Sequence, residues 1–222
     1  MIAADLISDS VPSIKPKDPV GLALEWMNEF KLAQLAIVDK GIFRGLVTED
    51  DLLDSPEEDF PISSLKHVYS GWESVYVNLH DHVYEAIKVM SQYNIEVIAV
   101  QDADGRYQGI LTIRDIIKQF NNLFALNEPG GILVLEIPQY SYVLSEIGRI
   151  TESVDAKVLS LYLSNVPESR DMLLTLKLNV EDLERVKAAF ERFDYNVVST
   201  FTQIQKGFDP DDWGSILRMF DL

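Results

Sequence analysis

The sequence predicts an α+β chain in two parts, and three observations carry that prediction. A repeat of about 63 residues fills positions 1–126, a proline–glycine break follows it, and the remainder alternates strand and helix patterns in the order βαββαβ. Self-similarity decides architecture, because each repeat is one structural unit that buries its apolar face against the next.

Asp18-Pro19-Val20 opens the first helix, with aspartate as N-cap and proline at the first helical position. Val20, Ala23, Leu24, Met27 and Phe30 recur behind it at helical spacing and form one apolar stripe. Adding 63 brings the pattern back as Asp81, Val83, Ala86, Ile87 and Met90. A short apolar strand follows in both copies, Leu35 to Asp39 and Ile98 to Asp102. One residue is then inserted at the turn, where Asp104-Gly105 answers to Lys40-Gly41. From there the offset is 64: Gly45-Leu46-Val47-Thr48-Glu49-Asp50-Asp51-Leu52 matches Gly109-Ile110-Leu111-Thr112-Ile113-Arg114-Asp115-Ile116. Each copy reads as strand, helix, strand, glycine turn, strand, helix.

On these residues the two copies resemble CBS repeats, whose hallmark is a glycine, two apolar residues, Thr or Ser, two variable residues, then Asp. The resemblance covers about residues 1–125, with repeats at 1–58 and 59–126. It implies one module (a Bateman module) in which two sheets pack together around two clefts. Ala36 and Ala99 stand where the family commonly has a proline.

The Thr-x-x-Asp motif has two readings. Thr48/Asp51 and Thr112/Asp115 have the spacing of a capping box, which satisfies orphan amides at a helix start. The same helix start offers free N–H groups and a positive dipole end to a phosphate. Similarity to nucleotide-binding CBS modules implies that Asp51 and Asp115 hold ribose hydroxyls while the threonines face phosphate, with AMP, ADP or ATP as ligand. The copies are unequal. Arg114 and Lys118 lie four residues apart on the second helix and can complement a phosphate, whereas Glu49 and Asp50 beside Asp51 repel one. The second motif is therefore the expected nucleotide site.

Charge and composition narrow the function classes. The net charge is −17; residues 1–125 carry 10 basic and 20 acidic side chains, and the remainder 9 and 16. Neither part has a basic face for duplex nucleic acid or an anionic membrane. No cysteine is present, so disulfides, thiolate nucleophiles and cysteine-held zinc are excluded. Apolar runs such as Ile132 to Leu135 are far shorter than a membrane helix, and the first residues lack a secretory pattern, so a cytoplasmic location is expected. The acidic run from Asp50 to Asp59 reads as an exposed linker, and His80-Asp81-His82 as a surface turn with Asp81 capping a helix. Neither predicts a metal site. With no Walker loop and no nucleophile–base pairing, no catalytic residues are assigned and an enzyme is not expected.

Asn127-Glu128-Pro129-Gly130-Gly131 is a linker. Ile132 to Ile137 follows as a strand, then a helical stripe at Val143, Ile147, Ile150 and Val154. Leu159, Leu161 and Leu163 alternate with polar residues, as do Leu174, Leu176 and Leu178, which gives two half-buried strands. Leu183, Val186, Phe190 and Phe193 make a second helix, and Val197 to Phe201 a last strand. This order, over residues 131–206, is that of a ferredoxin-like fold. Placed after a CBS pair, it is similar to the acetoin-utilisation family of CBS–ACT proteins. The ACT loop commonly carries a glycine, while Pro138 to Tyr142 has none, so the domain reads as a dimerisation or coupling element. In the tail, 207–222, Asp209-Pro210 opens a short helix with a stripe at Trp213, Ile216, Leu217 and Phe220. The whole chain is expected to be a regulatory, ligand-sensing homodimer; the alternative is an interaction protein whose clefts bind nothing.

Overall fold

The computed structural model describes residues 1–8, 10–54, 57–65, 75–166 and 169–202. The chain is mixed α+β and divides into two compact units, residues 1–119 and 120–222.

In the first unit the repeat returns residue by residue. The first copy supplies α1 (Val20–Phe30), the antiparallel pair β1 (Gln34–Asp39) and β2 (Ile42–Thr48), and α2 (Glu49–Leu53). The second supplies β3 (Tyr76–Asn78), α3 (Val83–Tyr93), β4 (Val97–Gln101), β5 (Tyr107–Thr112) and α4 (Ile113–Leu123). Ile14 bridges Ile37 in parallel, and 63 residues on Val77 pairs with Val100 in parallel. Both hairpins carry a bulge, at Ile37/Val38 and at Val100/Gln101. Left-handed Lys31 and Asn94 end α1 and α3, returning their N–H groups to the Met27 and Met90 carbonyls.

Buried residues explain why the apolar runs become strands. β4 is buried along its whole length and β1 nearly so, the expected fate of an unbroken apolar run covered on both faces. Val20, Ala23 and Met27 of α1 pack on Leu35, Ile37 and Val47, while Leu24 and Phe30 cover the edge of that cluster. Each large aliphatic side chain so buried contributes ~1.5–3 kcal/mol.

The helix starts differ from the sequence expectation. Pro19, not Asp18, is the N-cap residue of α1, and Asp18 accepts the Lys15 N–H at 2.8 Å. Likewise Asp81 accepts the Asn78 N–H at 2.7 Å, and α3 is capped by His82, whose Nδ1 accepts the Tyr84 N–H at 3.3 Å. A short carboxylate can close the turn before a helix as readily as the helix itself. Here it closes the turn in both copies.

In the second unit β6 (Gly131–Pro138), α5 (Leu144–Glu152), β7 (Val158–Asn165), β8 (Asp171–Leu178), α6 (Glu184–Arg192) and β9 (Asn196–Thr202) follow the βαββαβ order. Their sheet is antiparallel throughout, in the order β7-β8-β6-β9. Leu133, Leu135 and Leu176 meet Ile147 and Ile150 of α5 and Val186 and Phe190 of α6. Three expected core positions are more open. Phe193 lies past the end of α6, with the Arg149 guanidinium 4.8 Å from its ring centroid. Leu159 and Leu163 are exposed because β7 is an edge strand with one neighbour. Lys177 of β8 is the reverse case: at a position where alternation predicts solvent, it is 4% exposed. The Trp213–Phe220 stripe and His67 lie outside the described residues.

Two phenols report on packing. Burial pushes Tyr107 up to about 12 from 10.0; Tyr195 rises to about 12 through burial and its 2.9 Å hydrogen bond to Glu146. A raised phenol favours the neutral form in the fold, so this stability is intact below pH 10 and lost as pH climbs through about 12. Absorbance titration of the native protein is expected to show these two of the nine tyrosines ionising late. A single transition near 10 for all tyrosines would contradict the burial argument.

Candidate functional site

Each Thr-x-x-Asp motif sits where a strand hands over to a helix. Thr48 ends β2 and caps α2; its N–H and its hydroxyl both donate to Asp51 Oδ2, at 2.9 and 2.7 Å, while Asp51 N–H donates back at 3.1 Å. Thr112 ends β5 before α4. Its hydroxyl donates to Asp115 Oδ2 at 2.6 Å and accepts the Asp115 N–H at 3.2 Å. The first motif is therefore a complete capping box, and the second shares its hydroxyl–carboxylate pair and the return bond from the aspartate N–H.

The surroundings differ between copies. α2 has five residues, with Glu49 and Asp50 exposed in its first turn. α4 has eleven, and Asp115 is the acidic residue of its first turn. The Lys118 ammonium lies 3.7 Å from Asp115 Oδ1, so the second carboxylate is neutralised by a lysine one turn on. With Lys118 largely exposed, that pair is worth at most ~1 kcal/mol and can reopen at little cost. Arg114 is exposed and has no ion pair among the described residues. The structure thus brings Asp115 into contact with both Thr112 and Lys118, and leaves Arg114 next to it in the first turn of α4. The Ile113 and Asp115 N–H groups already donate, to the Glu96 carbonyl and to Thr112, so the arrangement offers an anion chiefly the cation of Arg114 at a helix start, and offers hydroxyls a carboxylate.

The motif glycine has a packing role that sequence reasoning missed. Gly45 and Gly109 take φ of 149° and 148°, next to the two bulges. A Cβ on Gly109 would lie 2.4 Å from Ile7 Cγ2. That contact exists because the first residues of the chain cross to the second copy: Ile2 bridges His82, Ser8 bridges Ile110, and Ala3 N–H donates to the Asp81 carbonyl at 2.9 Å. Glycine is thus required twice over, by its dihedral and by the close approach. The copies are further tied by Gln34 Oε1, which accepts the Glu96 N–H at 3.0 Å. Among the described residues no group of three His, Asp or Glu side chains is placed to hold a metal ion.

The CBS domain family matches residues 3–58 and 70–122. The chain carries two tandem CBS domains. The inosine-5'-monophosphate dehydrogenase of Aquifex aeolicus is 27% identical over 194 residues, 82% of this chain and 36% of that enzyme. The chain thus spans little more than a third of that relative's length. Among solved structures, a CBS domain pair/ACT domain protein from Thermotoga maritima has a TM-score of 0.49 at 20% identity, covering 55% of this chain and 98% of that one. CBSX2 in complex with AMP has a TM-score of 0.46 at 20% identity, covering 55% and 96%.

Proposed function

We propose that this protein is a regulatory sensor: its CBS pair binds an adenine nucleotide at the second motif and passes the bound state to a partner or to the dimer. The observation that carries this reading is the inequality of two otherwise matched motifs. Asp115 stands on an eleven-residue helix with Arg114 and Lys118 at hand, while Asp51 stands on a five-residue helix among Glu49 and Asp50. The ribose hydroxyls go to Asp115 and the phosphate to Arg114 and a released Lys118 at the start of α4. Thr48 and Asp51 form the weaker, second cleft. Calorimetry with AMP, ADP and ATP tests this. At 100 times its Kd a ligand of the native state adds ~2.7 kcal/mol of stability, so a melting shift is expected alongside the heat. No heat from any of the three at millimolar concentration overturns the proposal.

A second reading rests on a specific observation. Asp115 is already satisfied by Thr112 and Lys118, so the motif can serve as a cap alone, in an interaction protein with vestigial clefts. The same calorimetry separates the two.

The second unit supports an ACT-like reading, since βαββαβ with sheet order β7-β8-β6-β9 is a ferredoxin-like arrangement. Its role is to couple or to dimerise. Leu144, Leu159 and Leu163 leave apolar surface along the β7 edge, which a two-fold partner would cover. A homodimer of 25.2 kDa subunits is expected by light scattering, and a monomeric mass at micromolar concentration would count against it. The protein is proposed to be cytoplasmic and not an enzyme. No helix among the described residues is long and apolar enough to cross a membrane.

A further inference from the structure

The second unit holds a cavity of about 280 Å³ on the sheet face opposite α5 and α6. Phe124, Leu126, Ile132 and Tyr162 make its apolar walls. Phe124 meets the Tyr162 ring edge-on at 5.8 Å, and its carbonyl accepts the Ser160 hydroxyl at 3.0 Å. Lys177 donates to the Gly130 carbonyl at 3.2 Å and has a further partner, and no buried side-chain polar atom among the described residues lacks one. The cavity therefore suits an apolar occupant, not a charged one. A cavity of ~150 Å³ holds benzene, so this one has room for a bicyclic ring.

Strand register says where such a ring can come from. Ile132 of β6 pairs with Lys177 of β8 on one side and with Phe201 of β9 on the other, while Ser160 and Tyr162 of β7 pair with Lys177 and Thr175. Paired residues share a face, so Phe201, 56% exposed, continues the apolar row of the cavity. β9 ends at Thr202, opposite Gly131, so the chain leaves the sheet one residue pair from the wall at Ile132. From β9 to β7 is three strand spacings, ~15 Å. Positions 203–212 precede Trp213 and can span up to ~33 Å. The sequence there sets Trp213, Ile216, Leu217 and Phe220 at helical spacing, an apolar stripe that needs a surface.

We propose that the tail of the same chain docks on this sheet face, with the Trp213 ring in the cavity between Phe124 and Tyr162. Ser160 and Thr175 line the cavity and offer hydroxyl oxygens to the indole N–H. The face is then a latch for the chain's own tail, apart from the Thr112–Asp115 motif.

Two measurements on the full chain test this at micromolar concentration. Subtracting the emission of Trp213→Phe from that of the wild type isolates Trp213 from Trp26 and Trp72. That difference spectrum is expected to be blue-shifted from free tryptophan and quenched several-fold less by acrylamide. Tyr162→Ala, at a half-exposed wall position, is expected to return it towards free tryptophan. The chain has no cysteine, so Ser160→Cys with Gly214→Cys gives a single pair for a short bis-maleimide. A cross-linked product with the mass of one chain is expected, and adding Trp213→Ala should abolish it. Emission like that of free tryptophan overturns the proposal, as does a blue shift that Tyr162→Ala leaves unchanged. A product of twice the mass assigns the face to a second copy's tail and overturns it too. Should Tyr162→Ala fail to fold, the cross-link still decides.

Discussion

Phe190→Ala is expected to destabilise the second unit by ~3–5 kcal/mol, the range for truncating a fully buried aromatic. Phe190 is 0% exposed and sits in the cluster that joins α5, α6 and the sheet. Its ring meets Tyr195 edge-on at 5.6 Å, and Tyr195 in turn donates to Glu146 of α5. Removing the ring therefore leaves a void between two helices and frees the phenol that ties them. Against a typical domain stability of ~5–15 kcal/mol this is a large fraction. Phe201→Ala is the control: Phe201 is 56% exposed on β9, so its loss should cost under ~1 kcal/mol. Urea unfolding followed by circular dichroism measures both. A Phe190→Ala loss below ~1 kcal/mol would mean the core is not built as described.

The repeat and the βαββαβ order were legible because both are periodic signals that burial enforces. The stripe Val20, Ala23, Met27 and its copy Val83, Ala86, Met90 are all buried, at the offset read from the sequence. Phe190 was legible for the same reason. What periodicity could not show was anything set by contacts between distant segments. Nothing in Met1 to Ser8 says that these residues pair with the second copy, so Gly109 looked like a motif position and not a packing constraint. Alternation in β8 put Lys177 in solvent, because the residues that cover it come from the Phe124–Gly130 connection. The Asp18 and Asp81 assignments erred by one residue, since a turn and a helix start compete for the same carboxylate. Edge position, too, is a property of strand order, and it left Leu159 and Leu163 open where alternation alone would bury them.

Asp115→Ala is expected to cut adenine-nucleotide affinity by ~100-fold or more, and Asp51→Ala by less than about threefold. A carboxylate that receives two ribose hydroxyls makes two charge-assisted hydrogen bonds, each worth ~1.5–3 kcal/mol, and 1.4 kcal/mol is tenfold in Kd. Asp51 likewise accepts the hydroxyl of its threonine, yet Glu49 and Asp50 give its surroundings the wrong charge for phosphate. Both substitutions also remove the acceptor that Thr48 or Thr112 uses, at a cost of ~1 kcal/mol. Affinity must therefore be compared on protein shown to be folded. Asp115→Asn separates the two roles, since an amide oxygen still accepts from Thr112 while the charge and one acceptor are gone. If Asp115→Asn keeps wild-type stability and loses the nucleotide, the carboxylate is a ligand group. If it keeps both, or if Asp51→Ala and Asp115→Ala weaken binding equally, the motif is a cap and the asymmetry between α2 and α4 has no part in recognition.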